Sequence, residues 1–101
     1  MKSQALLLAL CAPLAAAAQT PDALKVRSLA ATCAGCHGTD GRAVAGSSVP
    51  SLAGLPADHL LQQLRAFRDG SRPATVMQQI AKGYNDAQLQ QLATFFAAQA
   101  K

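Results

Sequence analysis

Aromatic residues and cysteine are scarce in this chain. Among its 101 residues there is no tryptophan, one tyrosine, three phenylalanines and three cysteines, and the formal net charge is only +4. So few aromatic residues and so small a charge exclude the basic surface typical of nucleic-acid-binding proteins. A structural zinc site needs about four nitrogen or sulfur ligands, and outside residues 33–37 the chain offers only Cys11 and His59. A zinc-stabilised fold is therefore disfavoured as well.

The most specific feature present is the run at residues 33–37, which reads Cys-Ala-Gly-Cys-His. Two cysteines three residues apart and followed directly by a histidine form the attachment site of a c-type haem. If the run is a helical turn, Cys33, Cys36 and His37 lie within roughly 100° of arc, at about 100° per residue. The two sulfurs then reach one edge of the porphyrin and the imidazole reaches the iron. The sequence predicts one covalent haem c with His37 as an axial iron ligand.

Two other interpretations of Cys33 and Cys36 are weaker. A thioredoxin-like redox pair lies in a βαβ unit, and no strand pattern occurs near this run. A structural disulfide between the two cysteines would leave the adjacent His37 without a role. Haem attachment is the interpretation that uses all three side chains.

Residues 1–18 have the pattern of a secretory signal peptide, with a charged start, an apolar run and a run of alanines that ends at residue 18. The apolar run is too short to span a bilayer comfortably. Leu10 is too bulky for the position before a lipidated cysteine, which disfavours a lipid anchor at Cys11. We expect cleavage near Ala18, export to the periplasm, and one domain over residues 19–101.

The remainder of the chain predicts an all-α fold of about four short helices wrapped around one haem. Thr20, followed by a proline and an acid, is typical of a helix start. Residues 38–54 are rich in glycine and predict a loop. Pro56 opens a second helix that ends at Gly70, and a short helix is predicted over 75–82.

A last helix begins at residues 85–88, which have the pattern of a capping box. Apolar residues recur on one face of three of these helices, which predicts a shared core in which the first and last helices cross. These residues are Val26, Leu29, Ala30 and Cys33; Leu60, Leu61, Leu64 and Phe67; and Leu89, Leu92, Ala93 and Phe96.

The second axial position of the iron has two candidate ligands. Met77 is the only methionine in residues 19–101, and it follows His37 by 40 residues, enough chain to pass around the haem edge. His59 lies roughly 130° from the apolar stripe of its helix, at about 100° per residue, so we expect it to face water. His/Met ligation is a standard arrangement for electron-carrying haems. Met77 is therefore favoured, and the alternative is that it is an ordinary core residue.

The order of these features resembles a class I cytochrome c along essentially all of residues 19–101. In that family the carbonyl of a loop proline orients the histidine ligand, and residues 49–54, Val-Pro-Ser-Leu-Ala-Gly, are similar to that segment. The resemblance implies that Pro50 accepts a hydrogen bond from Nδ1 of His37 and that Leu52 packs on the haem. Such a hydrogen bond would fix the imidazole tautomer and raise its basicity.

A narrower resemblance concerns residues 67–73 and 75–84, together with the helix that follows. They are similar to the cytochrome subunit of flavocytochrome c sulfide dehydrogenase, in which a flavoprotein oxidises sulfide and passes electrons through the cytochrome. The chain departs from the two-haem members because it has a single Cys-x-x-Cys-His run. The resemblance implies a single-haem, non-catalytic subunit whose partner is an FAD-containing flavoprotein.

Three functions remain open at this point. The chain is an electron-transfer subunit of a sulfide-oxidising flavoenzyme, a free-standing carrier between respiratory complexes or other redox proteins, or a haem sensor with a labile distal ligand. With His37 and Met77 both on the iron, no position stays open for a substrate, which favours electron transfer over catalysis. Arg72 and Tyr84 are candidates to pair with the haem propionates, although charged residues on helices are usually solvated.

Overall fold

The fold is that of a computed structural model, which describes residues 19–101. The predicted signal peptide lies outside the described residues. Within them there is no strand, which confirms the all-α class, and no helix long and apolar enough to cross a membrane. The helices are α1 Pro21–Ala31, α2 Ala34–His37, α3 Ala57–Asp69, α4 Met77–Lys82 and α5 Asp86–Ala97, with a 3-10 turn at Thr39–Gly41.

Local capping explains why three helix ends lie where the sequence predicts them. The hydroxyl of Thr20 accepts a hydrogen bond from the amide of Ala23 at 3.1 Å at the start of α1. Gly70 ends α3 with a φ of 82°, a left-handed conformation that glycine adopts without strain. Asn85 and Gln88 form both hydrogen bonds of the capping box, at 2.8 and 2.9 Å, at the start of α5.

Two local predictions differ from the structure. The helix predicted over 75–82 begins at Met77 instead, because Thr75 and Val76 are β-branched and no side chain caps this helix end. The loop predicted over 38–54 contains the 3-10 turn, in which Asp40 has a φ of 53°. Glycine-rich composition predicts a loop but not the turns within it.

The core lies where α1, α3 and α5 meet. Leu89 and Leu92 are the largest fully buried side chains, and α1 packs against α5 as predicted. All four apolar residues predicted to share one face of α5 are buried. From the other helices only Ala30 and Leu60 of the predicted stripes are buried, and the other residues of those stripes are half-buried.

An exposed ion-pair network joins α3 to the first turn of α5. Arg65 donates two hydrogen bonds to the carboxylate of Asp86, at 2.9 and 2.6 Å, and Arg68 approaches the same carboxylate at 3.4 Å. The pKa of Asp86 is lowered, mainly by the hydrogen bond from Arg65. An acid in the first turn also interacts favourably with the helix dipole. The network therefore favours the observed contact between α3 and α5.

Candidate cofactor site around Cys33, Cys36 and His37

The run at residues 33–37 forms a helical turn that continues from the end of α1. The amide of His37 donates to the carbonyl of Cys33 at 2.9 Å, and the amide of Cys36 donates to the same carbonyl at 3.3 Å. Cys33 is half-buried, Cys36 is exposed, and His37 is only 8% exposed. The sequence predicts that Cys33, Cys36 and His37 share one face if this run is a helical turn, and the structure has that turn.

The imidazole of His37 is oriented by the loop that follows it. Its Nδ1 lies 2.6 Å from the carbonyl oxygen of Pro50, the contact that the sequence resemblance implies. A carbonyl only accepts, so Nδ1 carries a proton and donates, and in the neutral imidazole the lone pair then resides on Nε2. Nε2 makes no hydrogen bond within the described residues, whereas every buried side-chain nitrogen or oxygen there has a partner, so Nε2 is not itself buried. Nε2 is therefore open to the space beside the protein, as a ligand nitrogen must be.

Both cysteines of the turn are free thiols. The side chain of Cys33 packs against the core, and its Sγ lies 3.9 Å from Oγ1 of Thr32. Burial raises the pKa of the Cys33 thiol, the neighbouring Cys36 acts in the same direction, and the contact with Thr32 opposes them. The described chain thus presents two unpaired thiols beside an open imidazole nitrogen, the donor set that a covalent haem requires.

The loop that carries Pro50 is held against the backbone of Gly41. The carbonyl of Gly41 accepts from the amides of Leu52 and Ala53, at 2.7 and 3.2 Å. Gly41 has a φ of 80°, and a Cβ at this position would lie 2.7 Å from the ring of Phe96. The loop is consequently fixed between the attachment turn and α5.

Leu52 and Met77 are both half-buried. Leu52 packs at the margin of the core. Met77 is the first residue of α4, which packs against α3. Its neighbours Val76 and Ile80 are 60% and 39% exposed. Apolar side chains left uncovered in this way fit a segment that packs against a large apolar group.

His59, the alternative ligand, is exposed on α3 as expected. Among the described residues it makes no hydrogen bond to another part of the chain. It therefore lies on a solvated helix face and has none of the partial burial that Met77 has.

Tyr84 makes a contact that sequence reasoning missed. Its hydroxyl lies 3.0 Å from Oγ1 of Thr32, which itself donates to the carbonyl of Leu29 at 2.8 Å. The Tyr84 hydroxyl therefore donates to Thr32, the residue before Cys33. The bond ties the attachment turn to the end of α4. The two residues are 52 positions apart, so no local pattern in the sequence could have indicated their contact.

Arg72, the other candidate for the haem propionates, has partners within the protein. Its guanidinium lies 4.6 Å from the centroid of the Phe67 ring, a cation–π geometry, and it donates to Oε1 of Gln63. The described structure thus gives Arg72 and Tyr84 intramolecular roles.

Comparison with known proteins points to the same chemistry. The family model for cytochrome c matches residues 24–99. Over 68 residues, 67% of this chain, it is 44% identical to the thiosulfate dehydrogenase electron acceptor of Thiomonas intermedia, covering 31% of that protein. It is 41% identical over 68 residues to the cytochrome subunit of sulfide dehydrogenase of Chlorobaculum tepidum, covering 67% of this chain and 60% of that protein.

A third relative is nearer in length. The chain is 37% identical over 71 residues to cytochrome c-554(548) of Halomonas halodenitrificans, covering 67% of this chain and 84% of that protein. The chain spans less than two thirds of the first two relatives. The similarity to those two proteins therefore concerns only a part of each.

Proposed function

This chain belongs to the cytochrome c family and is an electron-transfer protein with a haem c attached through Cys33 and Cys36, and we propose that it works in the periplasm with His37 and Met77 as the two axial ligands. When bound, the haem supplies an iron that alternates between the ferric and ferrous states. The side chains of this protein hold that iron, set its potential and cover it.

The single observation that carries the assignment of His37 is the 2.6 Å contact between its Nδ1 and the carbonyl of Pro50. In the neutral imidazole the bond selects the tautomer with the proton on Nδ1, so the lone pair of Nε2 is the one available to iron. A carbonyl acceptor on Nδ1 also makes the imidazole a stronger donor, which favours the ferric state. Pro50 thereby tunes His37 as well as orienting it.

Met77 is proposed as the distal ligand because its surroundings suit a residue that faces a bound apolar group. It is half-buried and has exposed apolar neighbours, whereas His59 is exposed on α3. A thioether ligand favours the ferrous state and raises the reduction potential. With both axial positions occupied by side chains, the chain would carry electrons and would bind no substrate at the iron.

The proposed electron donor is a sulfide-oxidising, FAD-containing flavoprotein. The similarity of residues 67–84 to the flavocytochrome subunit supports this, as do the names of two relatives, which refer to sulfide and thiosulfate dehydrogenases. Val44 is 75% exposed, and its neighbours Ala43, Ala45 and Gly46 are small. A small, apolar surface of this kind permits close approach of a partner and suits a stable interface.

A free-standing carrier is the second candidate. It is favoured by the relative of similar length, whose name refers to a cytochrome and to no dehydrogenase. Binding of carbon monoxide tests the third function, a haem sensor. A firm bond between the iron and Met77 should prevent the reduced protein from binding carbon monoxide, whereas rapid binding of carbon monoxide would indicate a labile distal ligand.

The donor is tested by reduction of the purified holoprotein with sulfide, with and without the flavoprotein from the same organism. We expect reduction only when the flavoprotein is present. Val44→Asp should weaken the complex by about tenfold or more, since it places a charge in an apolar contact. Leu24→Asp is the matched control, because Leu24 is 50% exposed on α1, outside the loop.

Rapid reduction by sulfide alone would refute the flavoprotein assignment. The absence of a complex would do the same and would favour the free carrier. If Val44→Asp and Leu24→Asp weaken the complex equally, the proposal that the loop around Val44 forms the interface is wrong.

A further inference from the structure

The residue that follows Pro50 along the chain, Ser51, carries a hydrogen-bonded side-chain hydroxyl. Oγ of Ser51 accepts a hydrogen bond from the amide of Ala43 at 2.9 Å. The carbonyl of Pro50 belongs to the peptide group that joins Pro50 to Ser51, and this peptide group is planar. Whatever restrains Ser51 therefore also restrains the direction of the carbonyl that accepts the Nδ1 proton of His37.

We propose that Ser51 is a positioning residue whose hydroxyl holds the Pro50 carbonyl on His37 and thereby sets the reduction potential, an inference that rests on the proposed ligation by His37. The residue does not touch the imidazole. It acts through Pro50.

The backbone on either side explains why one hydroxyl matters here. After Ser51, the amide of Leu52 donates to the carbonyl of Gly41 at 2.7 Å. Before Pro50, the amide of Val49 donates to Oγ of Ser47 at 3.1 Å. Of these three hydrogen bonds, that of Ser51 is the one made by the side chain of residue 51, whose N and Cα lie in the peptide plane of the Pro50 carbonyl. Because hydrogen bonds weaken as their length and angle depart from the optimum, a small rotation of this peptide affects the contact with Nδ1.

The electronic consequence has a definite sign. A strong hydrogen bond from Nδ1 to a carbonyl makes the imidazole a better donor and stabilises the higher charge of the ferric state. Without the Ser51 hydroxyl the carbonyl is less restrained and the bond is weaker. The reduction potential should then rise, and the Nδ1 proton should exchange faster with solvent.

The test compares four variants of the holoprotein. Ser51→Ala removes the hydroxyl, whereas Ser51→Thr retains it. Ser51→Val is nearly the same shape as Ser51→Thr and lacks the hydroxyl, so this pair isolates the hydrogen bond even if Ser51→Ala folds poorly. Ser48→Ala is the matched control, because Ser48 is an exposed serine of the same loop whose side chain makes no hydrogen bond within residues 19–101.

The readouts are the reduction potential and the NMR signal of the His37 Nδ1 proton. We expect Ser51→Ala and Ser51→Val to raise the potential and to speed exchange of this proton by about two- to tenfold, the effect of one weakened hydrogen bond. Ser51→Thr should behave like the unchanged protein, and so should Ser48→Ala.

The outcomes separate this inference from the proposed function. If the Nδ1 proton shows no paramagnetic shift in the oxidised protein, His37 is not the ligand and both proposals are wrong. If the shift is present but Ser51→Val and Ser51→Thr have the same potential and exchange rate, His37 remains the ligand and the role of Ser51 is refuted.

Discussion

The two segments proposed to face the haem iron are built differently. The proximal segment, residues 33–54, is held by hydrogen bonds to Gly41, Pro50 and Ser51, several of them at 2.6 to 2.9 Å. The distal segment, residues 71–84, contains α4 and retains exposed apolar side chains. Its attachments to the rest of the chain include the amide of Arg72 on the carbonyl of Ala66 at 3.1 Å and the bond between Tyr84 and Thr32.

The difference shows which side the protein itself organises. The proximal geometry is complete in the polypeptide, because the donors and acceptors that orient His37 belong to residues 33–54. The distal segment lacks such a framework, so a bond from Met77 to iron and the cover of an apolar haem would supply part of its order. Changes on the two sides should therefore have separable consequences.

The largest effect should follow from removal of both attachment cysteines, because this change removes the group that both segments face. Within residues 19–101 the largest fully buried side chains are two leucines, Leu89 and Leu92, and small domains usually need an added staple. We expect Cys33→Ala combined with Cys36→Ala to abolish the cooperative thermal transition monitored by circular dichroism. Either single change should reduce covalent attachment. A cooperative transition in the double variant would contradict this view of stability.

The next largest effect should come from Met77→Ala, which removes the proposed distal ligand and leaves the proximal segment intact. We expect loss of the weak sulfur-to-ferric-iron absorption band and a fall in potential on the order of 0.1 V or more, since axial ligands strongly set haem potentials. The NMR signal of the His37 Nδ1 proton should remain. His59→Ala is the control and should change neither property. Loss of the native spectrum in that control would refute the assignment of Met77.

A smaller effect is expected where the distal segment is bonded to Thr32, the residue before the proximal segment. Tyr84→Phe removes the hydrogen bond to Thr32 and should lower the free energy of unfolding by about 1 kcal/mol, the usual contribution of one such bond. Urea unfolding of Tyr84→Phe, Thr32→Val and the double variant gives the coupling directly. Thr94→Val, at an exposed threonine of α5, should be nearly neutral. Additive effects of the two changes would mean that the link contributes nothing.

The smallest effect should lie outside both segments, at Asp86. The pKa of this carboxyl is lowered from 3.8, chiefly by the hydrogen bond from Arg65. A carboxylate with a depressed pKa stabilises the fold above its unfolded pKa, and this stabilisation disappears as the pH falls through the folded value. Because the two side chains are 44% and 53% exposed, we expect only a slight loss of stability at acid pH, and less at high salt.

Arg65→Met should remove most of that acid-dependent component, because Arg68 still approaches Asp86, and it should leave the haem spectrum unchanged. Urea unfolding between pH 7 and pH 3 measures it in both proteins. If the free energy of unfolding depends on pH identically in Arg65→Met and in the unchanged protein, the ion pair does not contribute to stability.

The sequence predicted most accurately those features that depend on neighbours along the chain. The start of α1 at Thr20, the capping box at residues 85–88 and the end of α3 at Gly70 are local hydrogen-bonding or backbone preferences. The start of α4 was predicted two residues early because Thr75 and Val76 oppose helix formation more than the apolar pattern around them suggests. The contact of His37 with Pro50 was expected only through a resemblance, since loop composition alone does not indicate which carbonyl meets the imidazole.

By itself the sequence determined that the chain is helical and that Cys33, Cys36 and His37 form one attachment site, because three side chains within five residues need only a helical turn to meet. Only the tertiary structure decided that the Ser51 hydroxyl meets the amide of Ala43, that Tyr84 donates to Thr32 and that Arg72 lies over Phe67. These contacts join residues far apart along the chain or within an irregular loop. Their partners are selected by how the helices pack around the core, and no periodicity or spacing records that choice.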